Sequence, residues 1–185
     1  MTMPAGWIVR YALAGLVWAA IGIWADGAHA AEPVPALQPA GVEVYGDWKK
    51  ICEAPPGSNE RVCFVFQKVN FTETNSMLLQ AVVGFFRSDL PDPVLILTAP
   101  LGTFLPPGLD VRVGSVEPMH THFEVCMAIG CQASLRLDSD KLAILSSHEQ
   151  AEIVVRNGAK KQVSIPLSLK GLDKGVASLK TKPKD

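Results

Sequence analysis

The chain has no excess of charge of either sign, no second long apolar run and no recognisable catalytic signature, and each absence narrows what it can do. Its 17 basic and 18 acidic residues nearly cancel, which leaves no electrostatic reason to expect a nucleic acid as partner. The one basic cluster, Lys180, Lys182 and Lys184, falls at the end of the chain and reads as a solvated tail over 181–185. None of the serines stands in a nucleophile-elbow context, and no phosphate-cradling glycine loop follows a strand. A hydrolase with His120 or His122 as base stays open, because triads assemble from distant residues. No internal repeat with a period of roughly 20–50 residues is visible.

What the sequence does contain begins with an export signal. Arg10 is the lone charge before an apolar run from Tyr11 to Ala25, and Ala28-His29-Ala30 offers small residues at the cleavage positions. That run is shorter than the ~20 residues a membrane-spanning helix needs. Residues 1–30 are therefore expected to be a cleaved signal peptide, with an uncleaved anchor, and membrane association through it, as the alternative. Met77–Phe86 and Val94–Ala99 are apolar but too short to span. Without residues 1–30 the chain has 155 residues, enough for one domain with a substantial core. Residues 31–41, with Pro33, Pro35 and Pro39, read as a Pro/Ala-rich tether. The domain is placed at 42–180.

Inside the domain the dominant period is two. Val62, Phe64 and Phe66 alternate with Arg61, Cys63 and Val65; Leu109, Val111 and Val113 alternate with Asp110 and Arg112; Ala133, Leu135 and Leu137 alternate with Ser134 and Arg136. Met77–Phe86 and Val94–Thr98 are nearly continuously apolar, as expected of strands covered on both sides. Asn157-Gly158 predicts a tight turn between strands at 153–156 and 161–169. Asp138 can cap a short helix through Leu142 and Leu145, and Leu169–Lys180 can form a second one, weakened by Gly171 and Gly175. The pattern predicts an all-β protein: about seven or eight short strands in a β-sandwich, a barrel being the competitor, with one or two short peripheral helices.

The four cysteines, Cys52, Cys63, Cys126 and Cys131, form two close pairs. An oxidising compartment favours disulfides, and local pairing is expected, Cys52 with Cys63 across the Pro55-Pro56-Gly57 loop and Cys126 with Cys131 around Ile129-Gly130. A redox-active pair is the alternative, although neither spacing is Cys-x-x-Cys. A metal site is a further alternative: His120, His122 and Cys126 share parity and would project from one face of an extended strand, with Glu124 between them. The segment Pro100–Gly108 holds three prolines and two glycines, which force a defined loop. Within it Phe104 and Leu105 are apolar residues beside Pro106 and Pro107, and they are the candidate binding residues.

Several motifs occur together in order. They are Gly46-Asp47-Trp48 with Cys52, Cys63-Phe64-Val65-Phe66-Gln67, Pro100-Leu101-Gly102 leading into Leu105-Pro106-Pro107-Gly108, then Phe123, Cys126 and Cys131, and finally Ser168-Leu169-Lys170-Gly171-Leu172. Taken together they resemble the invasion-associated locus B (IalB) family of exported bacterial proteins, over about Val42 to Leu179. The resemblance implies an immunoglobulin-like β-sandwich and a periplasmic, envelope-associated or secreted location, and it brings no catalytic residues with it. The expected function is that of an exported, non-catalytic protein that binds an envelope or host protein or another envelope component, without a cofactor, with an invasion- or host-interaction-associated role implied by the family. The alternative is a periplasmic metal-handling protein using His120 and His122.

Overall fold

The computed structural model describes residues 41–54, 61–87 and 89–180. The expected signal peptide, the tether up to residue 40, the Pro55-Pro56-Gly57 loop and the tail at 181–185 lie outside them. Eleven strands and two helices follow one another as β1 (Glu43–Tyr45), β2 (Trp48–Glu53), β3 (Val62–Asn70), β4 (Met77–Gly84), β5 (Val94–Ala99), β6 (Leu109–Arg112), β7 (Met119–Thr121), β8 (Phe123–Met127), β9 (Gly130–Arg136), α1 (Ser139–Ser146), β10 (Gln150–Arg156), β11 (Gln162–Ser168) and α2 (Leu172–Leu179). All pairings are antiparallel. A seven-stranded sheet has the order β1-β2-β3-β4-β5-β9-β8, and a four-stranded sheet the order β11-β10-β6-β7. The architecture is a β-sandwich with more strands than the sequence predicts: β1 and β7 are too brief to show a period, and β8, at the edge of the large sheet, is mostly exposed.

The core lies between the sheets. From the large sheet it takes Trp48, Val65, Leu79, Ala81, Val83, Leu95, Leu97, Ala133 and Leu135; from the small one Leu109, Val111, Ile153, Val155, Ile165 and Leu167. Register places these side chains on facing surfaces: Val111 pairs with Ile153, which pairs with Ile165. The alternation at Leu109-Val111-Val113 is thus a core face. On β3 the fully buried residue is Val65, so Phe64 and Phe66 point to the outer face, where they are half-buried.

The apolar runs of β4 and β5 differ from expectation. Their inner residues are buried, but Val82, Val94 and Ile96 on the other face stay partly exposed. No second layer is needed to explain them, because outward apolar side chains shelter one another across the strands: Phe64 is opposite Ile51, and Val82 lies between Phe66 and Ile96.

Both short helices form, and both are part of the core. In α1 the Asp138 carboxylate accepts from the Lys141 backbone N–H at 3.0 Å, capping the first turn, and Leu145 is buried. In α2 Leu172 and Val176, four apart on one face, are buried against the large sheet and contribute about 1.5–3 kcal/mol each. The hairpin between β10 and β11 is wider than a two-residue turn. Arg156 pairs with Gln162, and the left-handed residue is Lys160 rather than Asn157 or Gly158. Asn157 works through its side chain, whose Oδ1 accepts from the Ala159 and Lys161 N–H groups.

Two disulfides join the strands, Cys52 to Cys63 and Cys126 to Cys131. Each links residues directly opposite in the ladder, one between β2 and β3, the other between β8 and β9. All four thiols are used.

Candidate functional site

Three places concentrate chemistry or exposed apolar surface. The first is the histidine pair. His120 on β7 faces Asp110 on β6, and its Nδ1 lies 2.7 Å from the carboxylate. The His122 ring meets that of His120 edge-on, with centroids 4.8 Å apart. A depression of about 210 Å³ lies beside this pair, lined by Pro107, Gly108, His120, Val154, Arg156 and Gln162 among others. The expected alignment of His120 and His122 with Cys126 is corrected here. β7 belongs to the small sheet and β8 to the large one, so the chain changes sheets at His122 and equal parity no longer means a common face. Cys126 is moreover bonded to Cys131. Among the described residues no group of three or more His, Cys, Asp or Glu side chains is placed to hold a metal ion.

The second place is a polar clasp between the β1–β2 turn and the β11–α2 turn. Trp48, fully buried, donates its indole N–H to the Ser168 carbonyl at 3.0 Å. The Gln67 amide grips the Ser168 backbone like a neighbouring strand: Oε1 accepts from Ser168 N–H at 3.1 Å and Nε2 donates to its carbonyl at 3.3 Å. The same amide nitrogen reaches the Asp47 carbonyl at 3.2 Å. Ser168 Oγ donates to Asp47 Oδ2 at 2.6 Å, and Asp47 N–H donates to the Lys170 carbonyl at 3.1 Å. Gly46 and Gly171 make this approach sterically feasible. Both have positive φ, 58° and 87°, and a Cβ on either would run into the backbone of the opposite turn, at Lys170 or Tyr45. The polar groups of the clasp are thus engaged with one another.

The third place is the loop from Pro100 to Gly108, which carries the chain from β5 in the large sheet to β6 in the small one. Thr103 N–H and hydroxyl both bond back to the Pro100 carbonyl, and Gly108 N–H bonds to the Leu105 carbonyl. Phe104 N–H donates to the Arg156 carbonyl at 2.8 Å, tying the loop to the end of β10. Phe104 and Leu105 are each half-buried, and the Lys160 ammonium stands 5.2 Å from the centre of the Phe104 ring. The exposed apolar side chain of this loop is Leu101, at 61%. It borders a cleft of about 410 Å³ walled by Phe71, Leu78, Pro100, Val155, Val163 and Ile165. Phe71, itself 49% exposed, comes from the β3–β4 turn.

The sequence motifs led to the loop but to different residues within it, and Phe71 was missed. A signal existed, since Phe71 is an isolated aromatic among Asn70, Thr72, Glu73 and Thr74 at the end of a strand. Leu101 had one too, placed between Pro100 and Gly102, where neither neighbour can shelter it.

Residues 48–180 match the family model described as "Invasion associated locus B (IalB) protein". No curated protein matches the chain. Among solved structures, the crystal structure of invasion associated protein B from Bartonella henselae is similar, with a TM-score of 0.64 and 19% sequence identity, covering 76% of this chain and 95% of that one. At that identity the likeness speaks to fold, and it agrees with the sandwich described above. The family match, in contrast, runs from the buried indole of Trp48 through both disulfides to the end of α2. The chain belongs to the invasion associated locus B (IalB) family.

Proposed function

We propose that this protein is an exported, non-catalytic binding module of the bacterial cell envelope, which docks a protein or envelope component at the cleft beside Leu101. The observation that carries this reading is the cleft itself: about 410 Å³ of mostly apolar wall opening between two exposed apolar side chains, Leu101 and Phe71. Exposed apolar side chains beside a preformed recess are the pattern of a recognition surface. A loop held by Pro100, Pro106 and Pro107 loses less conformational entropy on binding than a flexible one. Phe104 and Leu105, half-buried in the same loop, are not among the walls of that cleft.

Export is supported by two disulfides that use all four cysteines, a usage that belongs to oxidising compartments. A periplasmic or secreted location fits that chemistry. No helix among the described residues is long and apolar enough to cross a membrane. An invasion- or host-interaction-associated role is what the family name adds to this proposal. On the histidine side, Asp110 orients His120, and the pair reads as a surface contact between β6 and β7.

The test is site-specific photo-crosslinking in the cells that make the protein. A photoreactive residue at Leu101 is expected to give a discrete envelope adduct that the same residue at Val116 does not. Absence of an adduct at Leu101, or equal adducts at both positions, would remove the cleft as the binding site.

A further inference from the structure

One end of the sandwich gathers exposed apolar side chains from three separate turns. Thr98 on β5 pairs with Gln80 on β4 and with Gln132 on β9. The β3–β4 turn, the start of the Pro100–Gly108 loop and the β8–β9 tip therefore leave the large sheet at the same end. They present Phe71, Leu101, and Met127 and Ile129, the last two 45% and 56% exposed, with Val125 just behind on the edge strand β8. Five of the nine large apolar side chains exposed among the described residues are here. The Cys126–Cys131 disulfide ties the base of the β8–β9 tip.

The charge pattern around these turns is as informative. From Thr98 to Leu109 and from Val125 to Leu135 the sequence has no charged side chain. Beside them stands the β10–β11 turn, with Gly158 packed so closely on the Gly102 carbonyl that a Cβ would come within 3.1 Å of it. That turn carries Arg156, Lys160 and Lys161, and among the described residues neither lysine takes part in an ion pair. Glu73 is the acidic residue of the β3–β4 turn. The surface is thus a set of uncharged apolar tips with a rim of excess positive charge. A protein groove would have to match tips from three turns and still bring acids to the lysines. A bilayer meets both demands at once: apolar tips enter the headgroup–acyl boundary while lysines stay among anionic headgroups.

We infer that the Leu101–Ile129 end of the sandwich docks directly on an anionic phospholipid surface. This rests on the reading of the Leu101 end as a binding surface, and it names the envelope component as lipid. It is separate from any anchoring by the first thirty residues.

The test uses the full chain with both disulfides intact, with Ile129→Trp, Leu101→Trp and Val116→Trp variants. Val116 follows β6 at the opposite end of the small sheet, since Arg112 pairs with Glu152 and Asp110 with Val154 on the way to the β10 tip. On vesicles of phosphatidylcholine and phosphatidylglycerol with lipids brominated on the acyl chains, Ile129→Trp and Leu101→Trp should show quenching beyond that of the parent chain, whose own Trp7, Trp18, Trp24 and Trp48 set the background, and Val116→Trp should not. Lys160→Ala and Lys161→Ala should each weaken partitioning about fivefold, and added salt should do the same. Equal quenching at 116 and 129 would mean that the amino-terminal run inserts instead, and absence of quenching at 129 and 101 would mean no docking; either overturns the inference. If lipid quenching fails while a protein adduct still forms at Leu101, the binding reading survives without lipid. If both fail, both fall.

Discussion

The clasp around Ser168 and the apolar end around Leu101 are built on opposite principles. In the clasp, Asp47, Trp48, Gln67, Ser168 and Lys170 engage one another at 2.6–3.3 Å, and the glycines allow two backbones to touch. At the apolar end, Leu101, Phe71 and Ile129 stand in solvent with little to hold them there but stiff loops and a disulfide. Gly46-Asp47-Trp48, Gln67 and Ser168-Leu169-Lys170-Gly171, among the motifs in which the chain resembles the family, have a sufficient reason in folding. The side chains free to meet a partner lie mostly outside those motifs. The clasp motifs are accounted for by folding, whereas Leu101, in the Pro100-Leu101-Gly102 motif, stands exposed.

The strongest way to break the comparison is to add one methyl group to the clasp. Gly171→Ala places a Cβ against the Tyr45 carbonyl at a backbone angle that L side chains rarely adopt. Strain and displacement together should cost about 3 kcal/mol or more, enough to threaten folding. Urea unfolding of the variant measures it. A loss below about 1 kcal/mol would mean that the two turns separate freely and that the clasp is not what holds them.

Gln67→Ala acts on the same region through hydrogen bonds alone. It strips the Ser168 N–H of its Gln67 partner and its carbonyl of one of two donors, and should cost about 1–3 kcal/mol. Gln67→Glu keeps the acceptor but sets a carboxylate oxygen against the Ser168 and Asp47 carbonyls, so its cost at neutral pH should exceed that of alanine. Equal costs would show that only the packing of this side chain matters.

What the sequence made legible divides along the same line. Leu109-Val111-Val113 and Ala133-Leu135-Leu137 revealed their buried faces because polar partners alternate with them. The Asp138 cap was readable because capping is local in sequence. β3 was harder, since both its faces are apolar and periodicity cannot tell Val65 in the core from Phe64 outside it. The clasp joins residues 120 positions apart, from Trp48 to Ser168, and no local pattern encodes such a contact. The histidine reading failed for a related reason. Parity predicts a common face only while a strand stays in one sheet, and this chain leaves its sheet between His120 and Phe123. The candidate loop was found from its prolines and glycines, but which of Leu101, Phe104 and Leu105 faces solvent depends on β10, whose Arg156 carbonyl draws Phe104 inward.

A gentler probe of the clasp side is pH. The Glu43 carboxyl is held below its usual range, chiefly by the Tyr45 hydroxyl and then by the Lys50 ammonium 3.2 Å away. A carboxylate with a depressed folded value stabilises fully above the ordinary value, and that contribution disappears as pH falls through the folded value. Glu43 is largely exposed, so solvent screens it and the effect is small. The parent should unfold at slightly higher urea than Glu43→Gln at neutral pH, and the gap should close in acid. A gap that persists in strong acid would assign the difference to something other than charge.

The smallest expected effect on stability separates the two regions most sharply. Leu101 is exposed, its neighbours Pro100 and Gly102 fix the backbone without it, and the Thr103 bonds to Pro100 do not involve its side chain. Leu101→Ser should therefore shift stability by no more than about 0.5 kcal/mol. Phe104→Ala, half-buried beneath the Lys160 ammonium and anchored next to Arg156, should cost more, because it removes packing as well as the cation–ring contact. The pair is read by thermal unfolding together with crosslinking at the cleft mouth, with the photoreactive residue at Phe71. Loss of the adduct in Leu101→Ser at an unchanged unfolding midpoint would make Leu101 a residue of the surface. A fall in the midpoint as large as that of Phe104→Ala would instead make Leu101 part of the fold, and the contrast between a self-satisfied clasp and an unsatisfied apolar end would disappear with it.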